Sequence, residues 1–213
     1  PWHIRDEGIY SLEKGRTFYT SNAGLVELRK EISQYIDRTQ KIVYNPLREI
    51  LVTVGGSEAI DLALRAMVNP GDEVLIPQPS FVSYEPCAIL AGAVPVIIEL
   101  KEENEFRLTA QELRSAITDK TKILILSFPN NPTGAVMERK DLEAIAEVIR
   151  EKDIFVISDE IYSALSYKGK HVSIASLPGM QERTVLINGF SKAYAMTGWR
   201  LGYACGPSVI MEQ

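Results

Sequence analysis

Lys192 lies in the run "NGFSKAYAMTGWR", Asn188 to Arg200, directly after an apolar stretch that reads as a strand. Lysine is seldom buried unless something pairs with it or reacts with it, so this amine asks for partners. Other polar residues stand in the same relation to an apolar run. Gly55, Gly56, Ser57 and Glu58 follow "EILVTV", Ser80 and Phe81 follow "EVLIP", and Asn130 and Asn131 follow "KILILSF". Asp159 and Tyr162 follow "DIFVIS", and Ser191 stands beside Lys192. In an open α/β sheet such positions share one rim, where ligands bind beyond the carboxyl ends of the strands.

Each residue alone has a plain structural reading. A Gly-Gly pair before a helix serves a tight turn as readily as it offers N–H groups to a phosphate. Asp159 suits a helix N-cap, Asn131 in "NNPTG" suits a turn, Phe81 suits a core, and Lys192 suits solvent. Together they describe one ligand: an anionic phosphate, an aromatic ring with a basic nitrogen, a ring hydroxyl, and an aldehyde that lysine can capture. That ligand is pyridoxal 5'-phosphate, whose chemistry needs a Schiff-base lysine and an acid opposite the pyridinium nitrogen. Arg200, eight residues beyond Lys192, is available as a second partner for the phosphate.

The elements that must hold these residues alternate along the chain. Strands are expected in "EILVTV", "EVLIP", "VPVIIEL", "KILILSF", "DIFVISD", "TVLING" and "RLGYACG", most of them apolar at consecutive positions and so covered on both faces. Ser57–Asn69, Ser83–Gly92, Thr109–Ile117 and Glu138–Lys152 carry apolar residues at helical spacing, with Pro70, Gly71 and Gly92 placed to end helices. This is the pattern of an α/β fold with a parallel sheet. The first fifty residues differ: Gly24–Gln40 reads as an amphipathic helix, preceded by an irregular stretch that includes "GRTFYTSNAG".

Composition narrows the function. The chain has 213 residues, 46% hydrophobic and 24% charged, enough for a sizeable core. A net charge of -5 argues against a nucleic-acid binder, which needs a basic surface. Cys87 and Cys205 are far apart and only His3 and His171 accompany them, so neither a zinc cluster nor a disulfide framework is expected. A reducing, cytoplasmic setting fits, and no apolar run approaches the ~18 residues of a membrane helix. The chain opens on Pro1 without a methionine and stops at Gln213 in what reads as the start of a helix, so both ends read as cut.

The motifs "FYTSNAGLVELRKEI", "VTVGGSEAI", "PGDEV", "FPNNPTG", "SDEIYS" and "NGFSKAYAMTGWRLGYACGP", in this order over nearly the whole chain, resemble the class I branch of the fold type I pyridoxal-phosphate aminotransferases, with aspartate and aromatic aminotransferases. The resemblance implies a three-layer α/β/α large domain with a mostly parallel sheet of about seven strands over residues 49–213, and an N-terminal arm and helix over residues 1–48. It implies that Lys192 forms the internal aldimine and shuttles the proton at the substrate Cα, and that Asp159 pairs with the pyridine nitrogen. Tyr162, helped by Asn131, is expected to serve the ring oxygen, and Phe81 to stack on the ring. Gly56, Ser57 and Glu58 are expected to form the phosphate cup, completed by Ser191 and Arg200. Gly189 stands where some members carry a phosphate-binding serine. Tyr19 resembles a tyrosine that reaches the phosphate of a neighbouring subunit, which implies a homodimer with shared sites.

Family members continue into a small domain bearing the arginine that clamps the substrate α-carboxylate, which these residues do not include. Amino transfer between an L-amino acid and a 2-oxo acid is therefore expected of the parent protein, and these residues alone are expected to be impaired. Two other activities use the same shell: a carbon–sulfur β-lyase, and the aminotransferase-like sensor domain of a regulator. The "AYAMTGWRLGYACGP" run favours transfer over elimination, and no basic helix-turn-helix appears at the N-terminus to favour a regulator.

Overall fold

In the computed structural model, residues 1–167 and 169–213 are described. Among these residues seven strands form a single sheet: β1 (Ile50–Thr53), β2 (Glu73–Gln78), β3 (Val94–Glu99), β4 (Thr121–Ser127), β5 (Phe155–Asp159), β6 (Thr184–Gly189) and β7 (Gly202–Cys205). Their order across the sheet is β1-β7-β6-β5-β4-β2-β3. The expected seven-stranded, mostly parallel sheet is present. β7 alone runs antiparallel to both of its neighbours, β1 and β6. A parallel return needs a crossover of a dozen or more residues, usually helical. The link from β6 to β7 holds only turns and a short 3-10 stretch, Thr197–Trp199, and so reverses the chain. The carboxyl ends of the other six strands therefore share one rim, and the amino end of β7 meets them there.

Among the described residues seven α-helices accompany the sheet: α1 (Trp2–Glu13), α2 (Val26–Gln40), α3 (Gly55–Met67), α4 (Tyr84–Leu90), α5 (Ala110–Ala116), α6 (Arg139–Lys152) and α7 (Ser208–Met211). Alternate strand residues feed opposite layers. Ile123, Ile125, Ile157, Val185 and Ile187 pack under α3 and α4 with Ala59, Ile60, Leu64 and Ala88. Leu124, Leu126 and Val156 pack under α5 and α6 with Leu113, Leu142, Ile145 and Ile149. On that second face Leu186, Tyr203 and Ile50 receive Ile32 and Ile36 of α2. Two covered faces explain why the strands are apolar at consecutive positions.

Helix α1 departs from the expectation that the opening residues are irregular up to the amphipathic helix. None of its residues is buried, and Trp2, Ile9, Tyr10 and Leu12 are all exposed. Its sequence therefore carries no core-facing stripe from which a helix is read. It touches the fold near Gly8, where a Cβ would lie 2.5 Å from the Trp199 ring.

One close approach sets the geometry of the rim. A Cβ at Gly202 would lie 2.5 Å from the carbonyl carbon of Gly55 and 2.7 Å from the backbone nitrogen of Gly56. Backbone cannot yield as a flexible side chain does, so Gly202→Ala is expected to cost ~1–3 kcal/mol by overpacking. A thermal melt checks this, with Gly198→Ala, which faces open space, as the unchanged control.

Candidate active site

The rim encloses a cavity of about 230 Å³ whose walls come from segments distant in sequence. Gly56 and Ser57 enter from the start of α3, and Phe81 from the turn after β2. Asn131 enters after β4, Asp159 and Tyr162 from the end of β5, and Ser191, Lys192 and Arg200 from the β6–β7 link. The sequence placed these residues on one rim; the fold gathers nine of them around one volume.

At one end stands the amino terminus of α3, with thirteen residues of aligned peptide dipoles behind it. The N–H groups of its first turn have no intrahelical acceptors and face an anion favourably. Gly55 has φ +76°, and a Cβ there would lie 2.4 Å from Nη2 of Arg200. Only glycine lets the guanidinium close over this turn. Nη1 of Arg200 donates to the carbonyl of Thr197 at 2.8 Å, which fixes the approach. A phosphate held here would meet backbone donors, the Ser57 side and a guanidinium together. Glu58 turns away: its carboxylate accepts from the backbone N–H of Val54 and steadies the turn from outside the cavity.

At the floor lies Asp159, 7% exposed. It shares a face of the sheet with Ser127, its register partner on β4. Its Oδ2 accepts from the Tyr84 hydroxyl at 2.7 Å and its Oδ1 from the Ile161 N–H at 3.1 Å. No ion pair among the described residues involves it. Burial pushes its proton affinity up, the bonds from Tyr84 and Ile161 pull it down, and the neighbouring Glu160 adds to the rise. A buried carboxylate with two hydrogen bonds and no ion-pair partner among the described residues is suited to a cationic N–H delivered by a ligand.

Above the floor, Nζ of Lys192 lies 5.5 Å from the centroid of the Tyr162 ring. Asn131 is free to face the cavity because its neighbour makes the turn. Oδ1 of Asn130 accepts from the N–H and hydroxyl of Thr133 at 3.2 and 2.9 Å. Phe81 presents a ring held edge-on by Tyr84, centroids 5.8 Å apart. A flat aromatic aldehyde bearing a phosphate and a basic ring nitrogen matches this donor set at every polar end.

Gly189 is packed against β7: a Cβ there would lie 2.9 Å from Cα of Gly202 and 3.0 Å from the carbonyl of Leu201. A serine has no room at this position, and the hydroxyl on this side of the cavity belongs to Ser191. Tyr19 lies outside the cavity, 103% exposed. Sequence reasoning missed Tyr84, Ser127 and Thr197, which also line the cavity. Tyr84 reads as one more apolar residue of a helix, and Ser127 as the polar end of a strand. Strand register brings Ser127 beside Asp159, and Tyr84 reaches both from α4; the sequence pattern displays neither.

Comparison with known proteins agrees with this geometry. The family "Aminotransferase class I and II" matches residues 3–213. The chain is 50% identical over its full length to an aspartate aminotransferase of Pyrococcus abyssi, of which it covers 55%. It is 47% identical, again over its full length, to aromatic-amino-acid aminotransferase 2 of Thermococcus litoralis, covering 55% of that protein. Its fold superposes on the aromatic aminotransferase of Pyrococcus horikoshii OT3 with a TM-score of 0.98 at 50% identity, covering 100% of this chain and 57% of that one. The aspartate aminotransferase of Thermus thermophilus with maleate gives a TM-score of 0.96 at 40% identity, covering 100% and 55% of the two chains. The chain thus spans about half the length of the curated relatives it matches. Family profile, identity and fold agree with the convergent rim: this chain belongs to the class I and II aminotransferases.

Proposed function

We propose that the protein containing this chain is a pyridoxal-phosphate-dependent aminotransferase that moves an amino group between an aspartate-like or aromatic L-amino acid and a 2-oxo acid. The observation that carries this reading is Asp159: a buried carboxylate with no ion-pair partner among the described residues, in one cavity with a lysine and a helix amino terminus. Bound there, the cofactor supplies an electron sink for the pair left on the substrate Cα. Lys192 would hold it through Nζ and would serve as the base at the substrate Cα. Asp159 keeps the ring nitrogen protonated by charge. Tyr162 and Asn131 serve the ring oxygen, Phe81 covers a ring face, and Gly56, Ser57, Ser191 and Arg200 hold the phosphate. Glu58 acts one step removed, by bracing the turn whose N–H groups face the anion.

The working unit in this reading is a homodimer with shared sites. Tyr19 and its neighbour Phe18 support it: both are strongly exposed, and Tyr19 stands outside this chain's own cavity, free to enter a partner's. A cytoplasmic setting accords with Cys87 and Cys205, both free thiols. Among the described residues no helix is long and apolar enough to cross a membrane.

The test of the cofactor site is to add pyridoxal phosphate, reduce with borohydride and map the modified peptide by mass spectrometry. A single adduct on Lys192 is expected. A stoichiometric adduct on another residue, with Lys192 unmodified, overturns the site. The reaction is tested on the parent protein with L-aspartate and 2-oxoglutarate. Glutamate formation supports transfer, whereas pyruvate and ammonia from cystathionine without transfer replace it by β-elimination.

A further inference from the structure

Tyr84 opens α4 and is 1% exposed, yet its hydroxyl reaches two polar groups of the sheet. It lies 2.7 Å from Oδ2 of Asp159 and 2.8 Å from Oγ of Ser127. A phenol has one proton and a carboxylate only accepts, so the Tyr84 proton goes to Asp159 and the Ser127 hydroxyl donates to the Tyr84 oxygen. The result is a directed relay, Ser127 to Tyr84 to Asp159. Its two ends are register partners on β4 and β5, so the ladder fixes their separation. The same ring meets Phe81 at 74° between planes, which sets the orientation of that ring as well.

We propose that Tyr84 is a positioning residue for the candidate active site, fixing the rotamer and charge of Asp159 through its hydroxyl and the tilt of Phe81 through its ring. The inference rests on the cofactor reading given above, and it assigns a role to a side chain that acts through Asp159 and Phe81. Oδ2 is engaged by Tyr84 and Oδ1 by the Ile161 N–H, so the carboxylate cannot swing. Burial drives it toward its neutral form, and the Tyr84 bond is first among the effects that oppose this. The Tyr84 hydroxyl itself is pushed far up, by burial first and then by the Asp159 charge, so it remains a donor through the neutral range. The other charged or titratable groups around Asp159 are Tyr162 after β5, Lys192 and Arg200 of the β6–β7 link, and Glu160 next in the chain. Glu160 is engaged elsewhere, with Ser158, Ser173 and His171.

Tyr84→Phe separates the two roles, because it deletes the hydroxyl and keeps the ring. The readout is the titration of Asp159 in the cofactor-free protein, followed by carboxyl-carbon NMR with Asp159→Asn to assign the signal. In Tyr84→Phe the midpoint is expected to rise by about one pH unit, and in Ser127→Ala by less, in the same direction. The dissociation constant for pyridoxal phosphate is expected to rise roughly 3–10-fold in Tyr84→Phe, by equilibrium dialysis. A midpoint equal to that of the unmodified protein in the folded variants overturns the inference. Should Tyr84→Phe fail to fold, Ser127→Ala decides by the same measurement. An unmodified protein that takes no adduct on Lys192 overturns the cofactor reading instead, and the midpoints still decide whether Tyr84 sets the charge of Asp159.

Discussion

Lys192→Ala is expected to abolish the borohydride-reducible adduct with pyridoxal phosphate and to lower amino transfer by the parent protein at least about 10²–10⁴-fold, the range for a positioned acid–base group. The loss exceeds that of any cup residue, because the phosphate has several donors and the aldehyde has one. Among the described residues Lys192 is the lysine that lines the cavity, and its amine lies above the ring of Tyr162 and in no ion pair. The side chain is exposed and leaves the core untouched, so stability should stay within about ±0.5 kcal/mol. The visible spectrum, the mass of the reduced protein and a thermal melt check the three parts. A variant that still forms one stoichiometric adduct with the same spectrum would sink the assignment. A variant that melts much lower would show that Lys192 supports the fold and not only the chemistry.

The sheet was legible because burial on two faces leaves a plain mark. Runs such as "KILILS" and "DIFVIS" are apolar at consecutive positions since Leu124 and Ile125, or Val156 and Ile157, feed opposite layers. Nothing in such a run states its direction, so the reversal of β7 became visible only in the ladder with β1 and β6. Helix α1 was illegible for the converse reason: it buries none of its residues. The cavity was legible as a set of residue types that follow strands, which is how Asp159, Tyr162 and Lys192 were found far apart in sequence. What that rule leaves out is the direction of each side chain. Glu58 is adjacent to the phosphate turn in sequence, but its carboxylate is drawn back to the Val54 N–H. Tyr84 is a helix residue on an apolar face, and its hydroxyl finds Asp159 across a distance of seventy-five residues in the chain.

Asp159→Asn is expected to weaken pyridoxal phosphate binding by roughly 100-fold, or about 3 kcal/mol, the scale for removing one partner from a buried charge pair. The same change should alter the cofactor-free fold in the opposite sense. Burial raises the proton affinity of Asp159 in the folded chain above that of an unfolded aspartate. Between those two values the folded state binds more protons than the unfolded state, so unfolding free energy falls as pH rises. The stabilisation is whole below the ordinary aspartate range and is lost as pH passes through the raised folded value. Denaturant midpoints collected from about pH 4 to 7 should therefore descend more steeply in the unmodified protein than in Asp159→Asn, where no proton is released. Subtracting the two series removes the contribution of every other carboxylate, including the acidic balance of the whole chain. Pyridoxal phosphate added to the unmodified protein should cancel the descent, since a cationic nitrogen over the carboxylate replaces the missing counter-charge. Parallel series without the cofactor would mean that Asp159 is already compensated within the chain and needs no cation from a ligand.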